Sequence, residues 1–514
     1  MEKTSLNVLT NVIRTVLMAL IGILLVPYYL DTLGVGTYAL IPLATTITSY
    51  ILIVTDSMVS ACSRYVVITI QTKSEEEAEI SFNSAFFGIL RMMLLMVPFA
   101  LAFSIASPYV FGIPDINVLE VQIMFALIFL SALISVAASS INTVFTAYNC
   151  LYYSYIARSI YALVQVILIM FFFWTDAPSL IYIGVAYLLS SFILVAVTYA
   201  CMRSISCAPH IRLNRYDSAH FKQMYSLGAW NIVQNFGSLL FIQMSLVLTN
   251  LLLGAEAQGN FSIVVSFISM VNTACFAIST SVTPLVFKQF SVNGKEGLVN
   301  TMRLAIKFLS MTMALPIAFV LIYSPEILET WVGSEYVWLS DIVRIAFLIQ
   351  LTYCVSMIMG ELPEIFLTVH VVGKVTLIFG LANIALAVIF VKFAGWGMTG
   401  IMIAWVCSMA STHIFRYIFN SYKAGSGMFT FLVPLLKWHI MLIMCTAVLY
   451  LVSMVYRPPA TWLSIAIFAI VVFVVYFLLV YPLSFSNDEK RMVSQTIPSS
   501  LRSHLPSFIV GKDV

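Results

Sequence analysis

A single cation lies inside the first long apolar stretch of the sequence, with an amide beside it on the same helical face. Arg14 and Asn11 are three residues apart, so a helix places both side chains on one side. The pattern recurs 220 positions further on with amides alone, as Asn231, Gln234 and Asn235. An arginine within a membrane span is costly and indicates a functional role by default. We expect Arg14 to line a polar cavity. The alternative is that the Arg14 side chain extends to the lipid headgroups. This alternative does not explain why the repeat 220 positions later is also polar.

The second apolar stretch ends in an acid followed two helical turns later by an arginine. Asp56 is the deeper of the two, and Arg64 marks the boundary of the span. One hypothesis is that Asp56 binds a coupling proton or sodium ion, or pairs with Arg14. The other is that it is a carboxylate near the end of a helix, hydrogen-bonded to Ser or Thr. The sequence does not favour either.

Further cations stand near one end of spans three, five and nine, at Arg91, Arg158, Arg303 and Lys307. Together they could hold an anionic headgroup, because the planar fork of arginine matches phosphate oxygens. For each one alone, anchoring to anionic lipid at the membrane boundary is the favoured reading. From this group we take Arg91 and Lys307 as candidates for substrate binding, in addition to Arg14, Asp56 and Arg64.

Small polar side chains form stripes on spans one, four, seven and eight. A stripe of this kind usually packs helices together, so each one alone predicts packing. Packing alone does not readily explain four such stripes in one chain. If the stripes face a common cavity, its hydroxyls and amides would suit a sugar. Asn142 is the candidate that we take from span four, whose stripe consists of Ser131, Ser135, Ser139, Asn142 and Thr146.

The elements that position these residues follow from composition. The 514 residues are 61% hydrophobic and 9% charged, whereas soluble proteins contain about 25% charged residues. Apolar runs near the length needed to cross a bilayer recur along the chain. The sequence therefore predicts an all-α polytopic membrane protein with spans near 8–30, 36–58, 83–107, 117–147, 152–173, 179–202, 223–251, 257–286, 303–323, 338–360, 371–392, 397–420, 433–456 and 460–483.

Charge in the connections predicts the orientation. Lys and Arg gather on alternate connections, of which Arg203–Lys222 is the longest, so both termini are expected in the cytoplasm. The expected location is the plasma (inner) membrane. No basic block suits nucleic acid, and the net charge is only +3. The eight cysteines and six histidines are dispersed, so no metal or cofactor is expected. The largest outer connection, Ser324–Ser340, is short, which argues against an enzyme acting on the outer face.

The repeat extends beyond the first span. Pro98 and Pro316 lie in matching positions, each followed shortly by a Ser-Pro pair. Six spans, the long basic connection and six more spans predict two lobes that enter the membrane in the same sense. The predicted divisions are an N-terminal lobe at 1–205, a cytoplasmic inter-lobe loop at 206–222, a C-terminal lobe at 223–425, spans 13 and 14 at 426–485, and a cytoplasmic tail at 486–514.

Two segments resemble a known family. PYYLDTLGVGTYALIPLATTITSYILIVTDSMVSACSRYV, and SPEILETWVGSEYV at 324–337, resemble polysaccharide (Wzx-like, O-antigen) flippases of the multidrug/oligosaccharidyl-lipid/polysaccharide exporter superfamily. The resemblance covers most of residues 5–430. It implies two six-helix lobes around a V-shaped cavity lined by spans 1, 2, 7 and 8. Related lipid II flippases carry arginines and an aspartate in early spans, which Arg14 matches in kind. The second lobe departs from those relatives, because its span eight has no cation at mid-membrane.

The resemblance implies rocker-switch transfer of a polyprenyl-diphosphate-linked oligosaccharide to the outer leaflet. The expected partners are this lipid-linked glycan, the bilayer, a coupling H⁺ or Na⁺, and the glycan polymerase and assembly machinery. A drug/cation antiporter of the same fold is the alternative. Such an antiporter needs acids deep in its cavity, where this chain has Asp56 and the opposing positive charge of Arg14.

Overall fold

The apolar runs of the sequence form helices. A computed structural model of the protein describes residues 2–72, 74–113, 116–225, 229–487 and 489–490, and within these ranges it holds no strand. The predicted all-α class is therefore confirmed. The helices are α1 (Glu2–Leu33), α2 (Val35–Tyr38), α3 (Leu40–Thr72), α4 (Glu75–Val110), α5 (Val118–Ala147), α6 (Tyr152–Thr175), α7 (Leu180–Arg203), α8 (Ser218–Tyr225), α9 (Ala229–Leu239), α10 (Ile242–Leu253), α11 (Ala255–Val332), α12 (Ser340–Phe347), α13 (Gln350–Ser356), α14 (Leu362–Ile365), α15 (Val369–Lys392), α16 (Gly397–Lys423), α17 (Leu432–Val455) and α18 (Trp462–Ser484).

Eleven of the described helices are long and apolar enough to cross a membrane, or thirteen if each of two bent pairs is one span. The bent pairs correspond to the predicted seventh and tenth spans. The predicted eighth span, 257–286, coincides with the first part of α11, which continues to Val332 with non-helical backbone at Gly294. Many helices extend beyond their apolar runs, because backbone hydrogen bonding continues where the side chains become polar.

The seventh span is broken between α9 and α10, which meet at 44°. Breaks in membrane helices are tolerated when other groups satisfy the freed carbonyls. The Nδ2 of Asn383, on α15, donates to the carbonyls of Leu240 and Phe241 at 2.9 and 3.4 Å. The hydroxyl of Tyr50, on α3, donates to the carbonyl of Leu239 at 2.8 Å. Two neighbouring helices thus stabilise the bend.

The chain forms two compact units. The first comprises Met1–Thr273 with Thr368–Ser408, and the second comprises Ala274–Leu367 with Met409–Val514. The first unit contains the whole predicted N-terminal lobe together with α9, α10 and α15. The predicted division into two six-helix lobes follows the sequence repeat and stays a prediction.

The predicted inter-lobe loop is folded onto the first unit. It contains a 3-10 turn at Leu213–Arg215 and the first part of helix α8. The amide of Asn83, buried in α4, donates to the carbonyl of His210 at 2.8 Å and accepts from the backbone N–H of Arg212 at 2.7 Å. Gly88 leaves room for the Phe221 ring, since a Cβ there would lie 2.3 Å from it. Of the predicted tail, residues 488 and 491–514 lie outside the described ranges.

Candidate functional site

Helix α1 is fixed to the turn between α5 and α6 by Asn7. Its Nδ2 donates to Asn149 Oδ1 at 3.0 Å, and its Oδ1 accepts from the backbone N–H of Tyr152 at 2.9 Å. The side chain is buried. Asn7 therefore has a structural role. It holds α1 beside the start of α6, the helix that Arg14 faces two turns further along α1.

Arg14 lies one turn further along α1 from Asn11 and faces α6. Its guanidinium donates to Asn11 Oδ1 at 3.3 Å and stands 5.5 Å from the centre of the Tyr155 ring. The Arg14 Nε is buried and has no hydrogen-bond partner among the described residues. A cation over an aromatic face gains modest electrostatic attraction. The guanidinium of Arg14 thus has N–H groups that can donate hydrogen bonds to a ligand.

Arg158 lies one turn along α6 from Tyr155 and brings a second guanidinium to the same place. It donates to Ser139 Oγ of α5 at 3.4 Å. It is close enough to Arg14 and to Asp56 of α3 for their charges to act on it. Within the described ranges, neither arginine forms a salt bridge.

We call Asn11, Arg14, Asp56, Tyr155 and Arg158 the α1 cluster. It contains two positive charges and one negative charge, so its net charge is positive. Asn142 lies one turn from Ser139 on α5, and its Oδ1 is buried with no partner among the described residues. A buried acceptor without a partner is unfavourable, so Asn142 is suited to accept a hydrogen bond from a ligand or water.

The repeat of α1 in α9 has a different setting. Asn235 Nδ2 donates to Ser57 Oγ of α3 at 3.3 Å. Gln234 lies against α15, where a Cβ on Gly373 would stand 3.6 Å from the Gln234 Cβ. The hydroxyl of Ser238 donates to the Gln234 carbonyl at 3.0 Å. We call Gln234, Asn235 and Ser238 the α9 face. It carries amides and a hydroxyl, and no charge.

Helix α3 joins the two settings. Asp56 acts on Arg158, while the adjacent Ser57 accepts from Asn235. About three turns towards the start of α3, Thr46 Oγ1 donates to Gln243 Oε1 of α10 at 2.7 Å. The second span and the bent seventh span therefore meet within the first unit.

Four predicted site residues are not among the contacts described above. The side chains of Arg64 and Asn231 are not among those described, so both stay predictions. Arg91 is exposed on α4. Lys307 belongs to the second unit, where its Nζ lies 2.7 Å from Glu489 Oε2 and 3.0 Å from Oε1.

Sequence reasoning favoured lipid anchoring for Arg158, whereas the structure places it in the α1 cluster. A usable signal was present, because Tyr155 and Arg158 are one helical turn apart and so share a face. No group of three or more His, Cys, Asp or Glu side chains in the described ranges could hold a metal ion.

The fold and this site define a multi-pass helical membrane protein with a positively charged polar cluster within its spans. Comparison with known proteins gives the family. Residues 6–290 match the model of the family described as "Polysaccharide biosynthesis protein", which covers more than half of the chain. The chain belongs to this family.

The chain is also similar to individual membrane proteins. The chain is 23% identical over 508 residues to the "Uncharacterized membrane protein EpsK" of Bacillus subtilis (strain 168), across 96% of this chain and 97% of that protein. Its fold is similar to "Lipid II flippase MurJ, inward closed conformation", with a TM-score of 0.67, 16% identity, and coverage of 92% of this chain and 98% of that one. It is also similar to an inward-facing multidrug resistance MATE family transporter, with a TM-score of 0.65, 15% identity, and coverage of 82% and 98%.

Proposed function

We propose that the protein is a flippase that moves a polyprenyl-diphosphate-linked oligosaccharide across the cytoplasmic membrane by alternating access. The observation that carries the proposal is that Arg14 and Arg158 are close enough for their charges to interact, while Asp56 is the acid that acts on Arg158. Two guanidiniums without salt bridges in the described ranges match the oxygens of a diphosphate. The polysaccharide biosynthesis family supports a glycan substrate.

The two repeats would divide the substrate between them. Arg14 and Arg158 would hold the diphosphate, and the amides Asn142, Gln234 and Asn235 would hydrogen-bond sugar hydroxyls. The polyprenyl chain would stay in the bilayer, because only the hydrophilic head is excluded from about 30 Å of hydrocarbon. Movement of the lobes at 1–205 and 223–425 would expose the site to each side in turn.

A drug/cation antiporter is the second candidate, because MATE transporters share the fold and Asp56 is an acid within a span. The net positive charge of the α1 cluster argues against an antiporter. A cation would enter a site where two arginines oppose one carboxylate, and like charges in a low-dielectric site repel strongly. Asp56 is better suited to a small coupling ion, H⁺ or Na⁺, whose uptake would offset the charge of the substrate.

The experiment is transfer of a labelled lipid-linked oligosaccharide in proteoliposomes made with the full-length protein. A membrane-impermeant reagent that oxidises sugars reports the fraction of glycan that has crossed. We expect protein-dependent transfer of the glycan and no exchange of organic cations. Cation exchange without glycan transfer would establish the antiporter instead.

A further inference from the structure

The second unit contains a basic pocket that the proposed transport mechanism does not use. It has a volume of about 630 Å³ and lies between the second part of α11, the start of α17 and the segment after α18. Its polar lining comes from Asn300, Arg303, Lys307, Lys437 and Glu489, and Trp438 provides an aromatic wall. Three cations therefore face one acid.

The single acid is already bound to one of the cations. Lys307 Nζ contacts both carboxylate oxygens of Glu489 and lies 4.7 Å from the centre of the Phe485 ring. Burial alone would raise the pKa of Glu489. The hydrogen bond and charge of Lys307, together with the backbone N–H of Ser486, lower that pKa below its usual value. The pocket thus holds an internal carboxylate as an anion.

The other two cations are open to a ligand. Arg303 and Lys437 are exposed, and neither has a carboxylate at salt-bridge distance among the residues that the structure describes. The net charge of the lining is positive even with Glu489 in place. A second anion that binds to Arg303 and Lys437 therefore has favourable charge complementarity.

We place the pocket at the depth of lipid headgroups. A bilayer core accommodates about 20 helical residues, whereas the apolar helix from Gln289 to Val332 has 44 residues. The predicted ninth span, 303–323, begins at Arg303, so this residue is expected where the helix leaves the hydrocarbon, on the side that loop charge predicts to be cytoplasmic. Trp438 fits this depth, since tryptophan is enriched at membrane interfaces.

An apolar surface continues from the pocket along α17. Leu436, Ile440 and Ile443 follow at spacings of four and three residues, and all three are exposed. This spacing places them on one face, next to Lys437. A free phosphate ion would make no use of that face, whereas the acyl chains of a lipid would cover it.

We propose that this pocket binds the phosphate of an anionic glycerophospholipid in the cytoplasmic leaflet. Arg303 and Lys437 hold the phosphate, Trp438 packs beside the glycerol region, and the acyl chains lie along α17. Glu489 competes for Lys307, so the bound lipid and the segment after α18 are in direct competition for the pocket.

The test is native mass spectrometry of the full-length protein with phosphatidylglycerol, phosphatidylcholine or polyprenyl diphosphate added singly. We expect phosphatidylglycerol to bind about tenfold more tightly than phosphatidylcholine. The double variant R303Q/K437Q is expected to lose that preference. The matched control K3Q/K222Q removes two exposed lysines from the same predicted side of the membrane and is expected to keep it.

A third variant separates binding from a general loss of folding. E489Q removes the competing carboxylate and frees Lys307, so we expect it to bind phosphatidylglycerol several-fold more tightly than the wild type. Three results would overturn the proposal: equal affinity for the two phospholipids, equal losses in the double variant and its control, or binding of polyprenyl diphosphate alone. None of these results depends on glycan transfer, so the proposed flippase function is tested independently of lipid binding.

Discussion

The α1 cluster and the α9 face are repeats of one sequence pattern that the first unit uses differently. On α1, Arg14 has Asn11, Tyr155 and Arg158 as neighbours and retains a buried Nε without a described partner. On α9, Asn235 is tied to Ser57, and Gln234 lies against the backbone of α15. Of the two repeats, only α1 therefore contributes a charge to the proposed site, while α9 contributes neutral donors and acceptors.

The largest expected effect comes from removing the cation of α1. Arg14→Ala should reduce glycan transfer about 100-fold, because a charge-assisted bidentate contact with a diphosphate is lost. Arg14→Lys should retain part of the activity, since it keeps the charge and loses the planar fork. Initial transfer rates in proteoliposomes measure both variants, with the exposed Lys222→Ala as control. Full activity of Arg14→Ala would remove the anion-binding role.

Exchanging the two repeats tests whether the position of the charge matters. The double variant Arg14→Gln/Gln234→Arg keeps the net charge and moves the cation to α9. We expect activity as low as that of Arg14→Gln alone, because Arg158 and Tyr155 stay beside α1. Recovery to within about threefold of wild type, below 1 kcal/mol, would mean that charge anywhere near α3 is sufficient.

A smaller effect is expected at the acid between the two repeats. Asp56→Asn should slow transfer about tenfold if Asp56 takes up the coupling ion, since coupling free energies are typically 1–3 kcal/mol. Binding of the diphosphate should be unchanged or tighter, because a negative charge near Arg158 is removed. Asp31→Asn, an exposed acid at the end of α1, is the matched control. Transfer that is unchanged across pH and sodium concentration would exclude the coupling role.

The smallest effect is expected on the α9 face. Asn235→Ala removes one neutral hydrogen bond to Ser57, so transfer should fall about three- to fivefold. Ser238→Ala removes only a bond within α9 and should change the rate by less than about twofold. If Asn235→Ala were as severe as Arg14→Ala, the two repeats would contribute equally and the comparison would be wrong.

The sequence predicted the spans and the contrast between the repeats. The apolar runs agree with the observed helices within a few residues at most ends, for example 152–173 against Tyr152–Thr175. The shared face of Asn11 and Arg14 followed from helical spacing alone. Local periodicity determines both features, which is why they could be predicted.

Features that depend on packing between distant helices could not be predicted. Arg158 was assigned to the membrane boundary because its position along α6 is near a span end, and only the packing of α6 on α1 places it beside Arg14. The break between α9 and α10 depends on Asn383, more than 140 positions away. Helical spacing places Asn7 on the same face as Asn11 and Arg14, yet its side chain bonds to Asn149 and Tyr152, which spacing does not reveal.

The proposed function requires that a cation on α1 selects a diphosphate-linked glycan. The most direct measurement compares initial transfer rates of a polyprenyl-diphosphate oligosaccharide and of the same oligosaccharide on an uncharged linker, in wild type and in Arg14→Ala. We predict that wild type prefers the diphosphate at least about tenfold and that Arg14→Ala loses this preference. Equal rates for the two lipids in wild type, or an unchanged preference in Arg14→Ala, would contradict the claim.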